Sequence, residues 1–163
     1  MEQGTTRRRF ADFAPVGKFQ PALAISPDGG EVVFISNVSG QPNLWHQEVG
    51  LRRAKQLTPF TENAVRDVAW SPDGRHLVFA ADYQGDEFHQ IYLLDLDAGG
   101  SPEPRAITAA PKVQHHLAEH AAFSPDSRLI AYAGNDRDPT SQDVLVYDLV
   151  TGEHRRVVAG RAE

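Results

Sequence analysis

The sequence predicts an all-β protein, a partial β-propeller of about three four-stranded antiparallel blades, on three observations. A nearly constant tetrapeptide recurs as Ser26-Pro27-Asp28-Gly29, Ser71-Pro72-Asp73-Gly74 and Ser124-Pro125-Asp126-Ser127, each copy between two apolar runs. The copies begin 45 and then 53 residues apart, near the roughly 40 to 50 residues of one propeller blade. The 13 Gly and 11 Pro are spread between the apolar runs, which argues against long helices.

The chain divides into a polar lead-in over 1–18, a first blade over 19–63, a second over 64–113 and a third over 114–160. Each blade opens on an apolar run ending against the serine: Ala22-Leu23-Ala24-Ile25, then Val65 to Trp70, then Leu117 to Phe123. These are the first strands. The tetrapeptide that follows is a hairpin bend. Ser suits the first turn position, Pro presets φ at the second, and Gly takes the left-handed conformation that returns the chain antiparallel. In the third copy Ser127 replaces glycine, and a residue with a Cβ in that conformation costs on the order of 1 kcal/mol.

The second strands, Val32-Val33-Phe34-Ile35, Leu77-Val78-Phe79-Ala80 and Leu129-Ile130-Ala131-Tyr132, are continuous apolar runs, as expected of strands covered on both faces. After a polar, turn-rich stretch come the third strands, Leu44 to Val49, Ile91 to Leu96 and Val144 to Leu149. Glycines then mark the next turns, and Lys55 to Thr58, Arg105 to Thr108 and Arg155 to Val158 supply a more polar fourth strand.

Composition narrows the function classes. No stretch approaches the roughly 18 consecutive apolar residues of a membrane helix, so no membrane partner is expected. A net charge of −6, from 16 Lys and Arg against 22 Asp and Glu, disfavours attraction to phosphate backbones, so no nucleic acid is expected. With no Cys, disulfides, thiolate metal sites and cysteine nucleophiles are excluded together. Arg7-Arg8-Arg9 resembles the opening of a twin-arginine signal, but Asp12, Pro15, Lys18 and Gln20 interrupt the apolar segment such a signal needs. A cytoplasmic location is the expectation.

Several constellations could carry chemistry. His116-Leu117-Ala118-Glu119-His120 matches H-x-x-E-H, in which two histidines one helical turn apart bind zinc. Here the match falls on a first strand, where residues four apart are separated by about 13 Å, too far to share one metal; polar side chains near a channel mouth are the expectation. Asp82, Asp86 and Glu87 in the second blade, and Asp136, Asp138 and Asp143 in the third, read as loop acids. Their spacing fits no closed calcium loop, so they are expected to be solvated, with Asp136-Arg137-Asp138 forming a local charge pair. Ser39 and Ser101 sit in turns without the G-x-S-x-G strand-to-helix context of a hydrolase nucleophile. Walker and dinucleotide-binding loops are also missing, and Trp45, Trp70 and Tyr92 read as core packing. No catalytic, metal or cofactor residue is assigned, and the substrate-binding residues are unknown; His115, His116, His120 and the acids are the first positions to mutate.

The run Trp70-Ser71-Pro72-Asp73-Gly74, followed by Asp82, Gly85-Asp86-Glu87, Gln90-Ile91-Tyr92-Leu93, Gly99-Gly100 and Ile107-Thr108, resembles a blade of the N-terminal propeller of prolyl oligopeptidase family serine peptidases, the acylaminoacyl-peptidase and dipeptidyl-aminopeptidase-like branch. The third blade, from Phe123-Ser124-Pro125-Asp126 through Asn135-Asp136-Arg137-Asp138 to Thr151-Gly152-Glu153, resembles the same branch, and the tetrapeptide blade is shared with TolB-like propellers. The resemblance runs from about Phe19 to Val158. It implies a propeller that caps an α/β-hydrolase domain and admits only short or unfolded peptides, the catalytic Ser, Asp and His belonging to that other domain. No catalytic residue is carried over.

Three blades are too few to close a ring of the known four to eight, so the end blades are expected to expose apolar faces such as Val32 to Ile35 and Leu129 to Tyr132. The first expectation for function is therefore the non-catalytic, peptide-gating portion of a serine peptidase, this chain being a fragment whose peptide substrate is turned over by the parent hydrolase domain. The alternative is a TolB-like protein-interaction module, completed by self-association through the open end blades or by a protein partner. A metal-dependent hydrolase rests only on the His116 to His120 match.

Overall fold

A computed structural model describes residues 19–99, 102–118 and 122–160. The lead-in with Arg7-Arg8-Arg9 lies outside the described residues, as do Ser101, Glu119 and His120.

Twelve strands form three four-stranded antiparallel sheets, each wound in chain order. The first sheet holds β1 (Phe19–Ile25), β2 (Glu31–Ser36), β3 (Asn43–Glu48) and β4 (Lys55–Gln56). The second holds β5 (Asn63–Trp70), β6 (His76–Tyr83), β7 (Gln90–Asp95) and β8 (Arg105–Ala106). The third holds β9 (His115–Leu117), β10 (Leu129–Asp138), β11 (Ser141–Asp148) and β12 (His154–Val158). Each sheet is one blade, and the chain is a partial all-β propeller.

The repeated tetrapeptide makes each first hairpin by a fixed set of bonds. In blade 1 the Ser26 hydroxyl donates to Asp28 Oδ1 at 2.6 Å, the same oxygen accepts from Gly30 N at 2.9 Å, and Ser26 Oγ accepts from Glu31 N at 2.9 Å. Ser71 with Asp73, and Ser124 with Asp126, repeat the pattern. The serine bond holds the Asp28 and Asp126 carboxyls below their ordinary value. Gly29, Gly74 and Ser127 take φ of 75°, 77° and 59°, the left-handed conformation expected of all three.

Two apolar cores lie between the sheets. One joins Val33, Ile35 and Leu44 of blade 1 to Leu77, Phe79 and Leu94 of blade 2; the other joins Val78, Ile91 and Leu93 of blade 2 to Ile130, Tyr132 and Tyr147 of blade 3. Blade 2 is thus covered on both faces, and β6 is buried from Leu77 through Asp82. Full burial of a side chain such as Phe79 contributes about 1.5 to 3 kcal/mol.

The ladder corrects the sequence expectation in four places. The end blades do not expose whole runs: Val33, Ile35, Ile130 and Tyr132 are buried, while Val32, Phe34, Leu129 and Ala131 are only partly covered. The cause is the strand period of two, which sends alternate residues to the packed and the open face. The first strand of blade 3 is paired over His115–Leu117, and Phe123 forms a separate bridge with Ile130. Leu117 pairs with Tyr132, so six residues on this side answer two on the other, which one uninterrupted ladder cannot satisfy. The β10–β11 connection is no turn-rich stretch, since the strands run to Asp138 and resume at Ser141. The fourth strands of blades 1 and 2 are two residues long, because Thr58 Oγ1 accepts the Leu44 N–H and Thr108 Oγ1 the Ile91 N–H, side chains taking over from backbone.

Candidate functional site

The bends stand at the start of each second strand, so the ends of β6 and β10 lie at the opposite rim, and there the polar side chains collect. In β5 the pairing steps from Val65 opposite Ala81 to Asp67 opposite Ala80, leaving Arg66 as an extra residue. Such a bulge re-aims its side chain, and the Arg66 guanidinium donates to Asp82 Oδ2 at 2.8 Å. Asp82 is 1% exposed, and its Oδ1 has no hydrogen-bond partner among the described residues.

His89 and His116 stand beside this pair, their rings edge to face with centroids 5.8 Å apart. Burial pushes the His89 pKa below its ordinary value, partly opposed by the charge of Asp82, so the ring is neutral at neutral pH. Behind it, buried His115 sets Nδ1 3.3 Å from the His89 carbonyl and Nε2 3.2 Å from Asp136 Oδ1. Gly134 makes room for this pair, since a Cβ there would lie 2.6 Å from Asp136 Oδ2 and 2.9 Å from His115 Cδ2.

A second polar group sits in the β10–β11 hairpin. Asp143, 2% exposed, receives two bonds from Arg137 at 3.0 and 3.1 Å, one from Arg156 at 2.7 Å and one from Gly160 N at 2.7 Å. The Arg137 guanidinium, ahead of the other partners, holds this carboxyl down at about 2. Deeper between blades 2 and 3, burial and then the Asp136 charge push the Tyr132 phenol up to about 12. It therefore stays protonated, and its hydroxyl is hydrogen-bonded with His154 Nδ1 at 2.7 Å.

Four of the six acids thus lie in strands rather than loops, Asp136 and Asp138 in β10 among them, and two of the four are buried rather than solvated. Asp82 ends a buried stretch of β6 and Asp143 lies inside β11; a charge this deep needs cationic or N–H partners, and Asp143 has four such bonds. Asp86 and Glu87 are exposed in the loop before β7. The local pair expected within Asp136-Arg137-Asp138 is replaced by partners farther off: Asp136 meets His115, Arg137 meets Asp143, and Asp138 accepts from Thr140. Of the histidine group, His115 and His116 are brought to the rim, while Glu119 and His120 lie outside the described residues. Trp70 and Tyr92 pack against the core between blades 1 and 2.

Sequence reasoning missed Arg66 and His89. The signal was Arg66-Asp67 within the otherwise apolar Val65 to Trp70, a polar interruption of the kind a bulge creates. Among the described residues no three His, Asp or Glu side chains converge to hold a metal ion. The hydroxyls of Ser26, Ser71 and Ser124 are engaged by Asp28, Asp73 and Asp126 rather than by a histidine. The rim offers a partly exposed guanidinium, backed by the buried Asp82 carboxylate, and a half-buried neutral imidazole, groups suited to holding the polar groups of a ligand.

At the turn side, β1, β5 and the segment around the Phe123 bridge meet around a cleft of about 520 Å³ walled by Leu23, Ile25, Trp70, Pro72, Phe123 and Pro125.

No family model matches the chain. It is 30% identical over 131 residues to dipeptidyl aminopeptidase BIII of Pseudoxanthomonas mexicana, covering 80% of this chain and 18% of that protein. It is 28% identical over 134 residues to the uncharacterized peptidase YuxL of Bacillus subtilis (strain 168), covering 72% of this chain and 19% of that one. The chain thus spans about a fifth of the length of these curated relatives. Among solved structures, 88% of it superposes on 21% of prolyl oligopeptidase B from Galerina marginata with a TM-score of 0.65 at 14% identity. Likewise 86% of the chain superposes on 32% of TolB from Acinetobacter baumannii with a TM-score of 0.63 at 19% identity. In sequence and in blade architecture the chain is similar to the propeller portions of prolyl oligopeptidase-type peptidases and of TolB.

Proposed function

We propose that this chain is the non-catalytic propeller portion of a prolyl oligopeptidase-type serine peptidase, and that it gates the access of peptides to a hydrolase domain outside these 163 residues. The observation that carries the reading is the 30% identity to dipeptidyl aminopeptidase BIII over most of the chain. The rim and the cleft both support it: the partly exposed Arg66 guanidinium can meet a peptide's carboxylate and carbonyl groups, and the cleft walled by Leu23, Ile25 and Trp70 can take its side chains. The gating proposed is by size: in a propeller whose ring is closed by further blades, a central channel admits an extended chain and excludes a folded domain.

The test uses the purified chain in two assays. A dipeptidyl chromogenic amide is expected to show no turnover, and turnover that follows the protein through repeated purification would overturn the non-catalytic reading. Unlabelled short peptides titrated into isotope-labelled chain are expected to shift the Arg66, Asp82 and His89 resonances, with the shifts lost in Arg66→Gln. Shifts unchanged by that substitution, or no shifts at all, would overturn peptide gating and favour the protein-interaction module.

A further inference from the structure

The chain carries both halves of its own blade-to-blade interface, each with one half uncovered. Counting from the repeated serine, Val32 of blade 1 corresponds to Leu77 and Ile130, Phe34 to Phe79 and Tyr132, and Leu23 to Val68. The strand pairings agree: Leu23 stands opposite Phe34 as Val68 stands opposite Phe79. In blades 2 and 3 this face is packed against the preceding blade, with Leu77, Phe79 and Ile130 at 0% exposure. In blade 1 it is open, and Leu23 and Ile25 are 55% and 60% exposed.

The opposite face repeats too. Ala131 of blade 3 corresponds to Val33 and Val78, and Val144 to Leu44 and Ile91. Those four counterparts are fully buried against the following blade, whereas Val144 is 42% exposed. The trailing face is thus small and aliphatic and the leading face carries an aromatic knob at Phe34, Phe79 and Tyr132, so the two open faces are complementary in the same sense as the buried ones.

The bends mark the same register. Ser127 Oγ accepts from Asp73 N of the preceding blade at 3.0 Å, and a Cβ on Gly74 would touch Pro27 Cδ of the preceding bend at 3.8 Å. Gly29, the equivalent position in blade 1, has nothing within 4 Å. The bend of a preceding blade would sit there.

We propose that a second copy of this chain covers the open face, the β10–β11 side of its blade 3 seating on the β1–β2 side of blade 1 and bringing its Asp126 bend against Gly29. The contact is heterologous, head to tail, so both ends of each copy can engage and a ring closes if the rotation permits. This assembly rests on the blade geometry and not on peptide gating, although Leu23 and Ile25 belong both to the face it covers and to the cleft.

Sedimentation of the full chain over a wide concentration range tests it. The mass is expected to rise above the 17.9 kDa of one chain. Leu23→Lys and Val144→Lys each alter one exposed face, leave the buried cores intact, and are each expected to stay at the mass of one chain. Mixed together they are expected to form a one-to-one pair, because the first keeps an intact blade 3 face and the second an intact blade 1 face. A wild-type chain that is folded by circular dichroism yet keeps the mass of one chain throughout would assign the faces to blades of some other chain and overturn the proposal. Association unaffected by both substitutions, or a mixture that stays unpaired, would overturn it as well.

Discussion

Ser127 shows how one side chain joins two scales of structure. Its φ of 59° carries the strain expected of a residue with a Cβ, yet its hydroxyl accepts the Asp73 amide across the blade boundary, which neither glycine equivalent can do. The strain and the bond are each on the order of 1 kcal/mol. Ser127→Ala keeps the strain and loses the bond, whereas Ser127→Gly loses both. Urea unfolding is therefore expected to show Ser127→Ala less stable than Ser127→Gly by about 1 kcal/mol. Asp143 supplies a pH dependence. Its folded-state pKa, about 2, lies below the ordinary carboxylate value, so its contribution is complete above about pH 4 and is lost as pH falls through 2. Denaturant midpoints are expected to drop over that window, and to drop less steeply in Asp143→Asn.

Among elements, the strands that leave each blade are secured by one repeated device with different residues. Asn43 Oδ1 accepts from Thr58 Oγ1 at 2.7 Å and from Phe60 N at 3.0 Å. Gln90 Oε1 accepts from Ala110 N at 3.1 Å, and Asp143 Oδ1 from Gly160 N at 2.7 Å. Each acceptor stands near the start of a third strand and holds the chain beyond the fourth, four residues on in blades 1 and 2 and two residues on in blade 3. Thr58→Val preserves shape but leaves the Leu44 N–H and part of Asn43 unpaired and buried. It is expected to cost about 1 to 3 kcal/mol by thermal or chemical unfolding. Blade order and strand order were legible in the sequence because the bend and the apolar runs recur. This clamp was not, because Asn, Gln and Asp share only an acceptor oxygen. The same limit hid the partners of Arg137: a neighbour in sequence, Asp138, was the obvious partner, while the hairpin register places Asp143 in reach.

For the molecule as a whole, the three sheets stack so that only the middle one has both faces packed. Amide exchange is expected to be slowest along β6, from Leu77 to Ala81, and faster in β1 and β12, which edge the end sheets. Equal protection of β1 and β6 would show that the open faces are covered in solution. The rim site belongs to this scale as well, since Arg66, Asp82, His89 and His116 come from separate parts of the chain and meet where blades 2 and 3 adjoin. The sequence by itself determined the all-β class, the three bends, the blade order and the likeness to peptidase and TolB propellers, because these are local patterns repeated along the chain. Only the tertiary structure decided which face of each end blade is open, that Asp82 and Asp143 are buried, and which cations answer which acids. Those outcomes depend on strand register and on the neighbour a sheet packs against, and neither is written in the spacing of residues within one blade.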